Sequence, residues 1–487
     1  MREFCCTQLG SVVMSTEHSM VRSVPPLVGM AILIAVTASG CGEAKRPAMT
    51  TEPPTTNGPV AVLALSAEEA QGATVGSAFT YDVAAGRLRF SDPRGGGLAY
   101  RLAVSPTTAG LMVDGTRVVG VPTAAGIITV IVTVTDIAGN TAESRFPVIA
   151  QSADLGVPVL PKTPYAYGDE SAPIPPAIAN SPQVVRIDNM TPANRVTDAG
   201  ATLGRVLFYD RRLSINDRIS CSSCHQQQFS FSDTARLSIG VLGTRTRRHS
   251  MALTNVRFYG PSRFFRDERA ATLEDLALQP VFDATEMGLP PDVLVPKLKL
   301  AGYYAPLFTA AFGDSVITHE RTARALSQFV RSLRTSSSKI DSMLAGTAVL
   351  TPQEQSGLFL FESAGCKSCH ESYAVVSDAA RNNGLDGSNL DAGAGAGRLK
   401  SPSLRNVLLR PPYMHDGRFR TIEEVIDFYD SGVQDNRDLD QRMRNHDGTP
   451  RRLLLTSDQK LSLIAFLGML TDRAFLTDPR FSNPFPR

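Results

Sequence analysis

Ser220-Cys221-Ser222-Ser223-Cys224-His225 places two thiols three positions apart, with an imidazole directly after the second. That spacing is the attachment signature of c-type haem: both thiols add to the porphyrin vinyl groups, and the histidine binds the iron. Gly365-Cys366-Lys367-Ser368-Cys369-His370 repeats it 145 positions on. The reading is a chain with two covalently bound haems, held by Cys221, Cys224, Cys366 and Cys369, with His225 and His370 as axial ligands. The alternative is zinc, because two Cys-x-x-Cys hooks can close one tetrahedral site. A zinc hook does not require histidine in the next position, and an export signal counts further against it.

That signal is the apolar run from Val24 to Gly40, which follows Arg22 and ends in small residues at Cys41. It reads as a signal peptide, too short to be a spanning helix. Ala38-Ser39-Gly40-Cys41 resembles a bacterial lipobox, which would make Cys41 a lipidated N-terminus and the membrane a partner through that anchor only. The alternative is ordinary signal cleavage beside an incidental cysteine. Met14 or Met20 would give a signal of more usual length. The expected location is the periplasmic side of a bacterial envelope, anchored at the outer membrane or free in the periplasm. Of seven cysteines, Cys5, Cys6 and Cys41 are set aside by this reading. The four that remain are the haem thiols, so the mature chain has none to spare for a disulfide. A net charge of +2 over 487 residues gives no field that would hold nucleic acid or an anionic membrane surface.

The length suggests about three domains, and the composition changes along the chain accordingly. Residues 1–40 are the signal and 41–59 a Pro/Thr-rich tether. Residues 60–150 read as β: Thr129-Val130-Ile131-Val132-Thr133-Val134-Thr135 is a β-branched strand, Asp136 to Asn140 a turn, and Arg145 to Ile149 a further strand. Short strands at this spacing predict an all-β sandwich. Gly120-x-Pro122 followed by Val132 to Asp136 and Gly139-Asn140-Thr141-Ala142 resembles bacterial immunoglobulin-like or cadherin-like modules, which implies a spacer or adhesion unit. Residues 151–184 are a Pro-rich linker. Beyond it the chain reads as mainly α. Gly204-x-x-Leu207-Phe208 precedes the first haem motif and Gly357-x-x-Leu360-Phe361 the second, which argues for tandem cytochrome c domains at 185–345 and 346–475, with a tail at 476–487. Leu326, Phe329, Val330 and Leu333 mark an amphipathic helix, and Thr351 to Glu354 and Thr456 to Gln459 match capping boxes.

Six motifs then occur in one order: Leu203-Gly204-x-x-Leu207-Phe208-x-x-x-x-Leu213-Ser214, the first haem motif, Asp267-x-Arg269-Ala270, Glu286-Met287, the second haem motif, and Pro412-Tyr413-Met414-His415-Asp416-Gly417. In this the chain, over about residues 185–475, resembles the bacterial di-haem cytochrome c peroxidases and the related MauG-like proteins. The resemblance implies hydrogen peroxide as oxidant at the N-terminal haem, and a C-terminal haem that relays electrons or shares the oxidised state. It implies a small cytochrome, a copper protein or a protein side chain as electron donor. Ordinary members close the peroxidatic haem with a second histidine at a position that falls near Val241 here. Residues 226–248 hold no histidine, so an open first site is expected, with His249 as the alternative ligand. The second haem's methionine position is Tyr429 here, as in MauG-like proteins. Thr421 to Glu424 is a capping box, and Ile422, Val425, Ile426 and Tyr429 share a helical face, so Tyr429 points inward. The resemblance makes it an iron ligand; the residues alone leave a core tyrosine open. Glu286 matches the distal carboxylate and is the candidate catalytic proton carrier.

Three departures stand out. Arg266, in Phe264-Phe265-Arg266-Asp267, replaces a tryptophan usual between the haems, and arginine cannot be oxidised. Leu276 replaces a distal glutamine, removing a polar partner for peroxide. His249 replaces an asparagine beside the family's inter-haem calcium, which counts against that ion. The rival these support is a non-catalytic di-haem electron-transfer or binding protein.

Overall fold

A computed structural model describes residues 63–486, apart from 67–68, 86–88, 93–95, 181, 260–262 and 371–378. The signal peptide, Cys41 and the tether lie outside the described residues. The chain from residue 59 onward forms one unit. Among the described residues no helix is long and apolar enough to cross a membrane.

The N-terminal part is a β-sandwich. Its strands are β1 (Leu63–Ser66), β2 (Gln71–Thr74), β3 (Phe79–Asp82), β4 (Arg89–Ser91), β5 (Ala99–Ser105), β6 (Leu111–Asp114), β7 (Arg117–Gly120), β8 (Gly126–Thr135) and β9 (Thr141–Gln151). One sheet runs β2-β9-β8-β5 and a second β3-β7-β6, with β1 and β4 paired separately. The β-branched run forms β8, and Ile128, Val130, Val132 and Val134 all point inward. That alternation is what a strand with one buried face requires. β2 pairs parallel to β9, whereas the β8–β9 hairpin is antiparallel over its whole length.

The sandwich is docked rather than tethered. Ile149 of β9 belongs to the core of the first helical unit, and Leu300 lies against Gly72 of β2. A buried ion pair joins Lys297 Nζ to Asp217 at 2.6 Å, and Asp217 also accepts from the backbone N–H of Ser152 at 2.9 Å. The Pro-rich segment is bound too. Tyr167 is buried, and Asp169 accepts from Arg257 and Arg334 at 2.7 and 2.8 Å. Residues of the expected tail likewise enter the core: Phe481 is buried, and its carbonyl accepts from Tyr209 at 2.6 Å. Proline content and chain position suggested loose connections, but these segments carry aromatic and charged side chains that find partners, and burial overrides composition.

The helical part is built twice on one plan. Helix Asp198–Tyr209 crosses helix His319–Ser332, and helix Pro352–Ser363 crosses helix Ser457–Met469. Each crossing is closed on a glycine. A Cβ at Gly204 would fall 2.0 Å from the Ala325 carbonyl oxygen, and one at Gly357 would fall 1.9 Å from that of Ser462. Phe329 and Phe466, at matching places on the second helices, touch the same glycines. The expected capping boxes at Thr351, Thr421 and Thr456 all form. A further repeat is Ser-x-x-Leu-x-Asn-Val, at 250–256 and 401–407. Asn255 and Asn406 both adopt left-handed backbone before a short 3-10 turn. Each ties down the end of a crossing helix: the Asn255 N–H donates to Leu333 O at 2.8 Å and the Asn406 N–H to Leu470 O at 3.1 Å.

Candidate active site

In the first unit Cys221–Cys224 form one helical turn, opened by a reciprocal cap between Ser220 and Ser223. The turn delivers His225, whose Nδ1 lies 3.0 Å from the Phe231 carbonyl oxygen. A protonated Nδ1 donates there, which leaves the lone pair on Nε2, the tautomer a metal-binding histidine adopts. Burial lowers the ring's pKa, offset in part by Phe231, Asp233 and Met251. Burial pushes the Cys221 thiol up to about 12 and Cys224 to about 11, so both are neutral at pH 7. Cys221 packs against the first core and Cys366 against the second. Among the described residues no three His, Cys, Asp or Glu side chains converge, so the two hooks do not meet at one tetrahedral site.

Glu286 lies in a tight loop over the same turn. Its carbonyl accepts from Val241 N–H at 2.7 Å, and the next carbonyl, Met287, accepts from Ile215 at 3.0 Å. Gly240 lies flat against this loop, where any Cβ would fall 1.8 Å from the Thr285 carbonyl oxygen. The carboxyl is half-buried and near enough to Cys221 and Cys224 to perturb both thiols. Burial raises its pKa, Asp283 adds to that, and Arg269 partly offsets it. The structure thus brings Glu286 to the first motif and sets Val241, an apolar side chain, beside it.

At the second motif His370 repeats the arrangement, its Nδ1 3.1 Å from the Pro402 carbonyl oxygen. Burial pulls its pKa down to about 4, so the ring is neutral. Cys366, Cys369 and His370 open into a cavity of about 240 Å³, walled by apolar side chains such as Phe361, Leu404, Ile426, Leu463 and Leu467. An apolar slot with two thiols and a neutral imidazole on its wall suits a porphyrin. Ile422, Val425, Ile426 and Tyr429 all face this cavity, as their shared helical stripe predicts. The helix Ile422–Asp427 runs into a π-helical turn over Phe428–Gly432, which carries Tyr429. Its hydroxyl oxygen accepts from Asn383 Nδ2 at 3.1 Å. Burial pushes the phenol up to about 12 against the Asn383 hydrogen bond, which favours the anion.

The two units meet through charges. Arg248 grips Asp391 through two bonds of 2.6 and 2.7 Å and Asp267 through one of 2.6 Å, while Arg269 also bonds Asp267 and stacks on Phe265. Asp267 and Arg269 therefore fix a junction between the units. His249 is buried, with Nδ1 3.1 Å from Ala235 O and Nε2 3.4 Å from Ser232 Oγ. It lines the cavity of the second motif. Leu276 packs against the first core.

One functional element was missed from sequence. Residues 264–275 and 413–424 are a second repeat. Phe264 bridges Ala270 as Tyr413 bridges Phe419, Phe265 and Met414 share positive φ, and capping boxes follow at Thr272 and Thr421. The signal was present as Arg-Asp-x-x-x-x-Thr-x-x-Asp against His-Asp-x-x-x-x-Thr-x-x-Glu. It places Arg266 and His415 at equivalent positions, and both reach the second cavity.

Comparison with known proteins agrees with this geometry. A family model described as di-haem cytochrome c peroxidase matches residues 198–349, and an Ig-domain model matches residues 61–150. The methylamine utilization protein MauG of Methylophilus methylotrophus is 31% identical over 290 residues, covering 57% of this chain and 84% of that protein. The chain belongs to the di-haem cytochrome c peroxidase family. Another relative of this family, the cytochrome c551 peroxidase of Nitrosomonas europaea, is 29% identical and covers 60% of this chain and 85% of its own length. Among solved structures, a MauG-like protein associated with microbial copper homeostasis is 32% identical, with a TM-score of 0.55 over 62% of this chain and 98% of its own. Family membership implies two c-type haems, and the Ig-like sandwich is added in front of the di-haem unit.

Proposed function

We propose that this chain is an exported di-haem peroxidase or oxidase of the MauG-like type, in which hydrogen peroxide is reduced at the His225 site and the His370/Tyr429 site shares or relays the oxidising equivalents. The domains are proposed as first bounded, with 185–345 carrying the peroxide site and 346–475 the second site. Bound haem supplies the redox chemistry. Phe231 and Pro402 orient His225 and His370 and fix their tautomers; Glu286, beside Cys221 and Cys224, is as carboxylate a stronger base than an exposed one and can take the proton from one peroxide oxygen and return it to the other. Val241, in place of a histidine, leaves peroxide access to that side. Tyr429 offers a hard oxygen donor that favours ferric over ferrous iron.

The observation that carries this reading is the pairing of differently furnished sites: a carboxyl over one motif and a phenol facing the other. The electron donor is a small redox protein or a protein side chain, met on the periplasmic side, and Cys41 would supply the anchor. Full-length protein matured in a host competent for cytochrome c assembly tests the proposal. Haem staining of a denaturing gel should be positive, the ferric spectrum should contain one high-spin and one low-spin component, and stoichiometric peroxide should change the Soret band. An unchanged band would favour the non-catalytic electron carrier, the reading that Arg266 and Leu276 support.

A further inference from the structure

Arg266 belongs to the first unit by sequence but reaches the cavity of the second. It is 8% exposed, and Arg410, on the same cavity wall, is 6% exposed. Among the described residues neither guanidinium has a carboxylate within ion-pair distance, and the Nε of each is buried without a hydrogen-bond partner. Burial and the neighbouring Arg410 and Arg248 pull the Arg266 pKa down to about 10, which still leaves it charged. A buried cation without a counter-ion costs several kcal/mol, so native structures pair it.

The wall supplies no such pair. Its one carboxylate among the described residues, Asp440, is already held by Arg381 and Arg442 at 3.1 and 3.6 Å. Lys400, on the same wall, donates to the Arg263 carbonyl at 2.6 Å and sits over Tyr259, so it adds positive charge. The missing partner must be an anion that enters the cavity. Haem carries two carboxylates on one edge, and a haem tied to Cys366 and Cys369 would bring them into this space.

Building on the proposed haem attachment at Cys366, Cys369 and His370, we propose that Arg266 and Arg410 form a cradle for the propionates of the second haem. The position where the family usually has a redox-active tryptophan is thereby converted into an electrostatic one. The backbone agrees, since Lys400 N–H donates to the Arg266 carbonyl at 2.7 Å and ties the Arg266 loop to the chain leading away from His370. Arg266 then acts on the haem's potential, through a charge from the other unit, rather than as a stepping stone for an electron.

The test compares Arg266→Gln and Arg266→Lys with the unmodified full-length protein, all matured with haem. Spectroelectrochemistry should show Arg266→Gln shifting the second haem's ferric/ferrous equilibrium at least tenfold toward ferric, about 59 mV for one electron. Arg266→Lys should recover most of that shift. Resonance Raman should show the propionate bending band of the second haem displaced in Arg266→Gln and in Arg410→Gln, which keeps the test open if one variant fails to fold. Potentials and band positions unchanged in variants that stain for both haems would overturn the cradle alone. A second motif that stains for no haem in the unmodified protein would instead overturn the reading beneath it.

Discussion

Replacing Tyr429 with Phe removes one oxygen and keeps the ring, which packs 4.9 Å centroid to centroid from Phe428. The phenol's pKa of about 12 means that losing its proton at pH 7 costs about 7 kcal/mol before any metal is considered. An iron that binds it as phenolate must return at least that much, and ferric iron does so better than ferrous. If a net preference of about 2.8 kcal/mol survives, the ferric/ferrous equilibrium of the second haem lies a hundredfold toward ferric because of this residue. Tyr429→Phe should therefore raise that haem's midpoint by about 120 mV and change its ferric spectrum, with the first haem unmoved. Asn383→Leu supplies the companion result. The donor 3.1 Å from the phenol oxygen stabilises the anion, so its loss raises the phenol pKa and moves the spectral transition for ligation to higher pH. Both variants are read by spectroelectrochemical titration of the full-length, haem-stained protein. Spectra and midpoints identical to the unmodified protein would refute tyrosine ligation and leave Tyr429 a packed aromatic residue.

Glu286→Gln should slow the reaction with peroxide by about 10²–10⁴-fold in stopped flow while haem content stays constant. Because the carboxyl must be unprotonated to take the first proton and its pKa is raised, the acid limb of the unmodified protein's pH profile lies above the ordinary carboxylate range, and that limb should vanish in the variant. Gly357→Ala forces a methyl to within 1.9 Å of the Ser462 carbonyl oxygen, so the helices must part; denaturant unfolding should show a loss of about 1–3 kcal/mol. Arg248→Ala leaves Asp267 and Asp391 without their shared cation and should cost about 2 kcal/mol. Arg248 holds both carboxyls below their usual range. Its stabilisation is therefore present above about pH 4 and is lost as pH falls through the depressed values, so unmodified protein and variant should converge in acid denaturation.

What the sequence made legible follows the range of the interactions concerned. The β-branched strand at 129–135, which the structure extends back to Gly126, and the capping boxes at Thr351, Thr421 and Thr456 are local, and each forms where its residues predict. Tyr429 was singled out by the family resemblance and turned inward by helical periodicity, although the turn that carries it is π rather than α, a distinction with no sequence signature. Arg266 was noticed as a departure but not as a wall of the second cavity, because that contact spans more than 100 positions of chain. The Pro-rich segment was read as a linker and the C-terminal residues as a tail, from proline content and chain position. Asp169 and Phe481 are held by partners far away in sequence.

Gly204 lies 21 positions before His225, whereas Gly357 lies only 13 before His370. The surplus stretch in the first half is where Arg211 and Arg212 reach back to Asp154 and Gly156, and where Asp217 receives Ser152. Ile215, in the same stretch, props up the strip of backbone bearing Glu286. The added length serves as a bracket. It fastens the front module to the half that carries Glu286, so a tug on that module would be felt at Glu286 before it reached Tyr429.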